Sequence, residues 1–445
     1  MSKVMDTTET SKALKGRPTP KAGESERFFL RGFGRKAEVA GELAQDYHSD
    51  IVLRIKANGG LLEAGDLRIR MAQEFGFCYG VDKAVDFAYE TRKQFPDKRI
   101  FITTEIIHNP RVNKTLQAMG IQFLSGRCQT ATGDEVSADD VVILPAFGVS
   151  VQQLEEFKQK GCILVDTTCG SVLNVWKRVE QYAREGFTAI IHGKYYHEET
   201  IATSSRATCY EGGQYLVVRD MDQAQIVCEY IRHGGDKAKF LKIFEHAHSP
   251  GFDPDQHLQR VGVANQTTML SSESLAIAQE LKKAMITRHG DGDIKNRFRN
   301  FDTICSATQD RQDAIIKLVK EGVDIMVVIG GFNSSNTTHL CEIAEKHAPT
   351  YHIEDVNGIV SAAEIRHQPY GQHHAIVSRD WLPAPSGKPL TIGVTAGAST
   401  PDRVVSDVIE KILSLRGLTV PPLPEPQLAP ATKAAENPEE VAVAD

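Results

Sequence analysis

The sequence predicts an α/β protein assembled from three copies of one strand–helix unit. Three observations carry that expectation. Short β-branched runs alternate with amphipathic stretches along most of the chain. A cysteine opens a helix-like stretch in three matching contexts, and a polar loop follows each of those cysteines at nearly constant spacing.

Taken in order, residues 1–25 are rich in Ser, Thr and Lys with almost no apolar periodicity, which predicts a disordered tail. Asp6, Glu9 and Glu24 argue against a transit peptide there. Residues 26–67 form an N-terminal extension. Buried strands are expected at IFITTEII (100–107), DVVILPAFG (140–148), CILVDTTC (162–169), TAIIHG (188–193), DIMVVIGG (324–331), HHAIVS (373–378) and LTIGVTAG (390–397). Amphipathic helices are expected at 154–160, 171–185, 274–288, 308–321 and 402–416. This alternation means parallel units whose ligands gather at the carboxyl ends of the strands. The units are placed at 68–168, 169–304 and 305–418, with insertions near 209–257 and 361–390. From 419 to 445 the chain reads as a disordered Pro/Ala/Glu tail.

Composition narrows the function classes. The 445 residues carry 51 basic and 58 acidic side chains, a net charge of −7, with 41% hydrophobic and 24% charged residues. That suits a globular protein of roughly three domains at about 150 residues each. The acidic balance argues against nucleic acid as a partner, and no run reaches the roughly 20 apolar residues of a membrane span. Eight cysteines are too few for a secreted disulfide framework. A reducing compartment follows, the cytoplasm ahead of a plastid stroma.

Three of the eight cysteines share a context: EFGFCYGVDKA around Cys78, VDTTCGSVLNV around Cys169 and FDTICSATQDR around Cys305. A thiol at a helix N-terminus faces the positive end of the dipole, which favours the metal-binding thiolate. Single cysteines such as Cys128, Cys162, Cys209, Cys228 and Cys341 read as small core residues. From the matched three to the next polar loop is 30 residues (Cys78 to His108), 28 (Cys169 to His197) and 29 (Cys305 to Ser334). A third loop completes each unit: PAFGVS (145–150), ANQTTM (264–269) and TAGAST (395–400). Three converging thiolates leave a metal centre one open position, whether that centre is catalytic zinc or a cubane cluster. Spacing does not choose between them.

The loops carry neutral donors at helix starts: His108-Asn109, His197, Ser334-Ser335-Asn336 and Ser399-Thr400. Such groups bind phosphate with help from backbone N–H groups and the dipole. His197-Glu198-Glu199 adds carboxyls, and a Glu in a dry pocket stays protonated and can act as an acid.

These segments closely resemble the LytB/IspH family of 4-hydroxy-3-methylbut-2-enyl diphosphate reductases. The resemblance lies in GFCYGVDKA, EIIHNPRVN, TTCGSV, HGKYYHEET, NQTTML, TICSATQDRQ, GGFNSSNTTHL and GVTAGASTPD, in that order between about 68 and 416. The stretch before Cys78 is similar to the long cyanobacterial and plastid branch. The resemblance implies a trefoil of three pseudo-threefold-related α/β domains around a central iron–sulfur cluster. By it, Cys78, Cys169 and Cys305 would ligate one [4Fe–4S] cluster with an open iron. His108, His197, Ser334, Ser335, Asn336 and Ser399 would hold the substrate diphosphate. Glu199 would donate the proton, Thr267 would touch the substrate alcohol, and Glu198 would be structural. The implied reaction is reductive removal of an allylic hydroxyl, giving isopentenyl and dimethylallyl diphosphate. The electron donor would be reduced ferredoxin or flavodoxin, and the chain a monomer or homodimer.

One position departs from the family pattern. Where short bacterial members carry a His donor, PAFGVS places Phe147, whose ring has no hydrogen-bond donor and is expected to pack on the pocket. Two rivals are weaker. A zinc hydrolase on His197-Glu198-Glu199 leaves the three matched cysteines unexplained, and an iron–sulfur sensor or scaffold has no use for diphosphate-type loops.

Overall fold

The computed structural model describes residues 27–30, 32–301 and 303–424. The expected tail at 1–25 and all but the first residues of the tail at 419–445 lie outside them. Among the described residues, three sheets share one plan. In the first, Ile163–Asp166, Val141–Leu144, Ile100–Ile102 and Ile121–Phe123 run side by side. The second repeats the order with Phe298–Asn300, Val261–Asn265, Thr188–His192 and Tyr215–Val218, and the third with Leu67–Met71, Leu390–Ala396, Ile325–Ile329 and Thr350–Ile353. Every one of these pairings is parallel. Central strands such as Val141–Leu144 and Ile325–Ile329 are buried at every residue, as helices on both faces require. That explains why they appear in the sequence as unbroken apolar runs.

The five expected helices form at Val151–Gln159, Gly170–Arg184, Ser271–His289, Ser306–Lys320 and Asp402–Ser414. Three features differ from the sequence reading. Leu67–Met71 precedes Cys78, yet it pairs with Leu390–Ala396 in the third sheet and not with the strands that follow it. It is the counterpart of Ile163–Asp166 before Cys169 and Phe298–Asn300 before Cys305. The chain therefore closes on itself, with its start completing the last sheet, and a first unit opening at 68 takes in a strand of the third. HHAIVS is not a buried parallel strand: Ile376–Arg379 forms an antiparallel hairpin with Glu364–His367. Its half-buried and exposed residues alternate, the period of a two-stranded ribbon with one wet face. Lastly, Val420 and Leu423, drawn into the expected tail, pack partly buried on the third core.

The N-terminal extension straps two domains together. Phe28–Phe29 adds an edge strand to the first sheet beside Leu164 and Val165. The Lys36–Tyr47 helix buries Val39, Leu43 and Tyr47 in the first core. Asp50–Ala57, capped by the Ser49 hydroxyl, buries Val52 and Ile55 in the third. Leu61–Ala64 then turns antiparallel onto Leu67–Met71.

Candidate active site

Each domain sends loops from the carboxyl ends of its strands to one central place. Cys78, Cys169 and Cys305 are the N-cap residues of Tyr79–Gln94, Gly170–Arg184 and Ser306–Lys320. All three have extended backbone, and none uses its side chain as a cap, so the thiols are free for another task. Their amides are stitched in a ring: Cys78 donates to the Ala398 carbonyl at 3.1 Å, Cys169 to Ala146 at 2.8 Å and Cys305 to Thr267 at 3.5 Å. Each acceptor lies on the third loop of the preceding domain.

The thiols come together around one cavity. Burial pushes the Cys78 thiol up, opposed by the Val81 amide and the Arg311 charge. Burial also pushes Cys169 up, against a hydrogen bond from the Ser171 amide. The Ser171 hydroxyl donates to Cys305 Sγ at 3.3 Å. Three sheltered thiols with helix-start amides aimed at sulfur form a donor set that suits a thiolate-held iron–sulfur cluster. Gly80 fits that picture, because a Cβ there would stand 2.4 Å from Cys169 Sγ. Arg311 is buried beneath, donating to the carbonyls of Gly76 and Ala307 at 2.7 Å each.

The opposite wall is polar. His108, His197, Glu199, Thr267, Ser334, Ser335 and Ser399 line the same cavity as the cysteines. Asn109, His197 and Ser334 cap the helices Pro110–Ala118, Glu198–Ala207 and Ser335–Glu345, so three helix N-termini surround it. That concentration of positive dipole ends suits an anion. Asn336 stands apart from the other predicted residues: it does not line the cavity, and its Oδ1 accepts from the Ala398 amide at 2.9 Å. Its buried Nδ2 has no partner.

Glu199 is 3% exposed. Its two carboxyl oxygens accept from the Thr267 amide at 2.6 Å and the Thr267 hydroxyl at 3.0 Å. Burial raises its pKa to about 7 despite those bonds. Thr267 thus holds the acid and lines the cavity beside it. Phe147 packs where the sequence reading expected, stacked on His108 with centroids 4.6 Å apart and planes 16° apart.

The sequence reading missed several supports. Glu105 accepts from His108 Nδ1 at 3.0 Å and from Asn333 Nδ2 at 2.8 Å. Gln266 donates to the Ser335 hydroxyl at 3.2 Å while its Oε1 accepts from the Thr200 hydroxyl at 3.1 Å. Asn333, Gln266 and Glu105 all sit inside the quoted motifs, but an i,i+3 Glu–His pair such as Glu105–His108 is too common to stand out. The zinc rival on His197-Glu198-Glu199 does not assemble, since Glu199 turns to Thr267. His108, His197 and Glu198 do bring one atom each within 4.8 Å of one another, but the encircling helix N-termini oppose a cation there.

The profile of a family described as LytB protein matches residues 69–413. A 4-hydroxy-3-methylbut-2-enyl diphosphate reductase of Gloeobacter violaceus is 51% identical over 400 residues, spanning 89% of this chain and 94% of its own. That of Thermosynechococcus vestitus is 50% identical over 395 residues, spanning 88% and 96%. The solved Plasmodium falciparum E-1-hydroxy-2-methyl-but-2-enyl-4-diphosphate reductase superposes with a TM-score of 0.56 at 21% identity, covering 80% of this chain and 95% of its own, and shares the fold. No helix among the described residues is long and apolar enough to cross a membrane.

Proposed function

Since the chain belongs to the LytB protein family, we propose that it reduces 4-hydroxy-3-methylbut-2-enyl diphosphate to isopentenyl and dimethylallyl diphosphate. The observation that carries this reading is the composition of one cavity, where three cysteines face an anion cradle and a buried carboxyl with a pKa of about 7.

Cys78, Cys169 and Cys305 would hold a [4Fe–4S] cluster, one per chain. When bound, that group supplies one-electron transfer and a Lewis-acidic position for the substrate oxygen. The remaining work falls to the protein. His197 and His108 hold the diphosphate through their ring nitrogens, with the Ser334, Ser335 and Ser399 hydroxyls beside them. Asn336 supports this set through the Ala398 amide and its spare Nδ2 hydrogens. The helix starts add backbone donors, which is how a chain of net charge −7 receives an anion without a Lys/Arg clamp.

Glu199 gives its proton to the departing hydroxyl oxygen. A pKa near 7 leaves it protonated often enough to serve and acidic enough to let the proton go. Thr267 keeps the carboxyl aimed and contacts the substrate alcohol. Phe147, buried beside the histidines, excludes water from the diphosphate side. Electrons would come from reduced ferredoxin or flavodoxin.

The test is an anaerobic assay of the purified brown protein with the allylic diphosphate and a reduced one-electron donor. The expected result is consumption of substrate with formation of both five-carbon products. A colourless protein under those conditions, or a brown one that leaves the substrate untouched, refutes the assignment.

A further inference from the structure

The hydrogens on the polar wall can be assigned from their partners. The Glu199 amide donates to His197 Nδ1 at 3.2 Å, so that nitrogen carries no hydrogen. Burial pushes His197 well below the usual histidine range, so its single hydrogen sits on Nε2. Nε2 faces His108 Nε2 at 3.2 Å, a separation that holds one hydrogen between the rings. His108 Nδ1 in turn faces Glu105 at 3.0 Å. The free site is therefore a directed chain: Glu199 amide to His197, His197 to His108, His108 to Glu105.

A diphosphate oxygen entering between the two rings accepts hydrogen bonds and donates none. His197 already offers it an N–H, whereas His108 presents a bare Nε2. Resting on the diphosphate reading above, we propose that anion binding takes up one proton from solvent onto His108 Nε2, and that Glu105 is the positioning residue that makes this possible. The carboxylate keeps the Nδ1 hydrogen and faces the new positive charge from the far side of the ring.

The surroundings support that role. Glu105 is 5% exposed and fixed by Asn333. Burial pushes its carboxyl up, but the hydrogen bonds from His108 and the Asn333 amide oppose it and Glu105 lies below the usual carboxylate range. Phe147 stacks on the face of His108, an arrangement that favours a cation. Other charged or titratable groups are placed compatibly. The Arg127 charge favours the ionised Glu105 carboxylate. Glu199 lies on the far side of His197 and is tied to Thr267. Glu198 Oε2, 3.7 Å from His108 Nε2, belongs to a side chain more than a third exposed that can turn into water as the anion arrives.

Titration calorimetry of the cluster-loaded protein with dimethylallyl diphosphate at pH 8, in buffers of differing ionisation enthalpy, counts the protons. The diphosphate is fully ionised there, its last pKa being about 6. Wild type should take up about one proton per ligand, with Kd weakening up to about tenfold for each pH unit above 8. Glu105→Gln should lose most of that uptake and bind about tenfold more weakly at pH 8, the gap closing toward pH 6, because a facing charge shifts such an equilibrium by one tenfold step or more. His108→Asn should show no uptake. Binding by wild type without buffer dependence overturns the proposal, as does uptake that survives in either variant. If Glu105→Gln does not fold, wild type and His108→Asn decide the matter. Failure of wild type to bind the diphosphate in every buffer would instead refute the diphosphate reading.

Discussion

Replacing Glu199 with glutamine sets function against stability, and the structure sizes both. An ordinary Glu with a pKa of 4.5 is protonated about once in three hundred at pH 7, whereas a pKa of about 7 makes that about one half. Losing the acid should lower turnover by about 10²- to 10⁴-fold, while diphosphate binding stays near wild type. In wild type only the protonated form donates, so kcat should fall about tenfold per pH unit above pH 7, and the residual rate of the variant should lack that limb. The stability effect runs the other way. Between pH 4.5 and 7 the folded state binds more protons at this site than the unfolded state, so wild type loses stability as pH rises, up to about 3 kcal/mol above pH 7. Glutamine removes that penalty but accepts through one oxygen where Glu199 uses two, which returns about 1 kcal/mol. Glu199→Gln should therefore be about 2 kcal/mol more stable at pH 8 and slightly less stable at pH 5. Steady-state kinetics and thermal midpoints across that range test both halves. Turnover within tenfold of wild type, or an alkaline limb that persists in the variant, would refute the acid role.

The other expectations concern the thiol side. Cys169→Ser should lose its iron and brown colour under anaerobic purification while Cys209→Ser keeps both, measured as iron and labile sulfide per chain. Gly80→Ala should also lower cluster retention, because its Cβ would stand 2.4 Å from Cys169 Sγ and force the two helix starts apart; full iron content in this variant would contradict the close approach. Arg311→Met strands the buried carbonyl of Gly76 at a cost of about 1–3 kcal/mol, visible as a lower thermal midpoint.

The elements most legible in the sequence are those whose burial is complete on both faces. Runs such as VVIL and IMVVI leave no other reading, and the helices between them carry a clear apolar stripe. The site was legible for a different reason. It is built three times, so residue types that mean little singly, a cysteine or a serine before a helix, gain meaning from recurring at 30, 28 and 29 residues. What stayed hidden does not recur. Glu105 has no counterpart in the other two loops that could have flagged it. Leu67–Met71 shows the same alternating burial as any half-covered strand, and nothing local says that its partner lies more than 300 residues away. The hairpin at Ile376–Arg379 was misread because four residues are too few to separate a period of two from an apolar run.

The misplaced strand also explains where the thiols stand. Each cysteine follows a strand of one sheet, Leu67–Met71, Ile163–Asp166 or Phe298–Asn300, and starts a helix of the next domain, and its amide donates to the preceding domain's third loop. A thiol in that position belongs to two domains at once, so a group held by all three thiols bridges every domain boundary. The strap from Phe28 to Met71 spans one of these boundaries, between the first and third domains. At all three boundaries the chain itself runs through the cysteine from one domain to the next. At the boundary between the first and third domains, the extension also adds Phe28–Phe29 to the first sheet and Leu61–Ala64 to the third. Arg111–Asp407 at 2.5 Å adds a side-chain tie across the same seam. Both His108, from the first domain, and Ser399, from the third, reach the cavity there, and the Ser399 hydroxyl donates to the His108 carbonyl at 3.1 Å. Closing that seam is therefore part of building the anion cradle, which gives the N-terminal extension a place in the active site without lending it a single side chain.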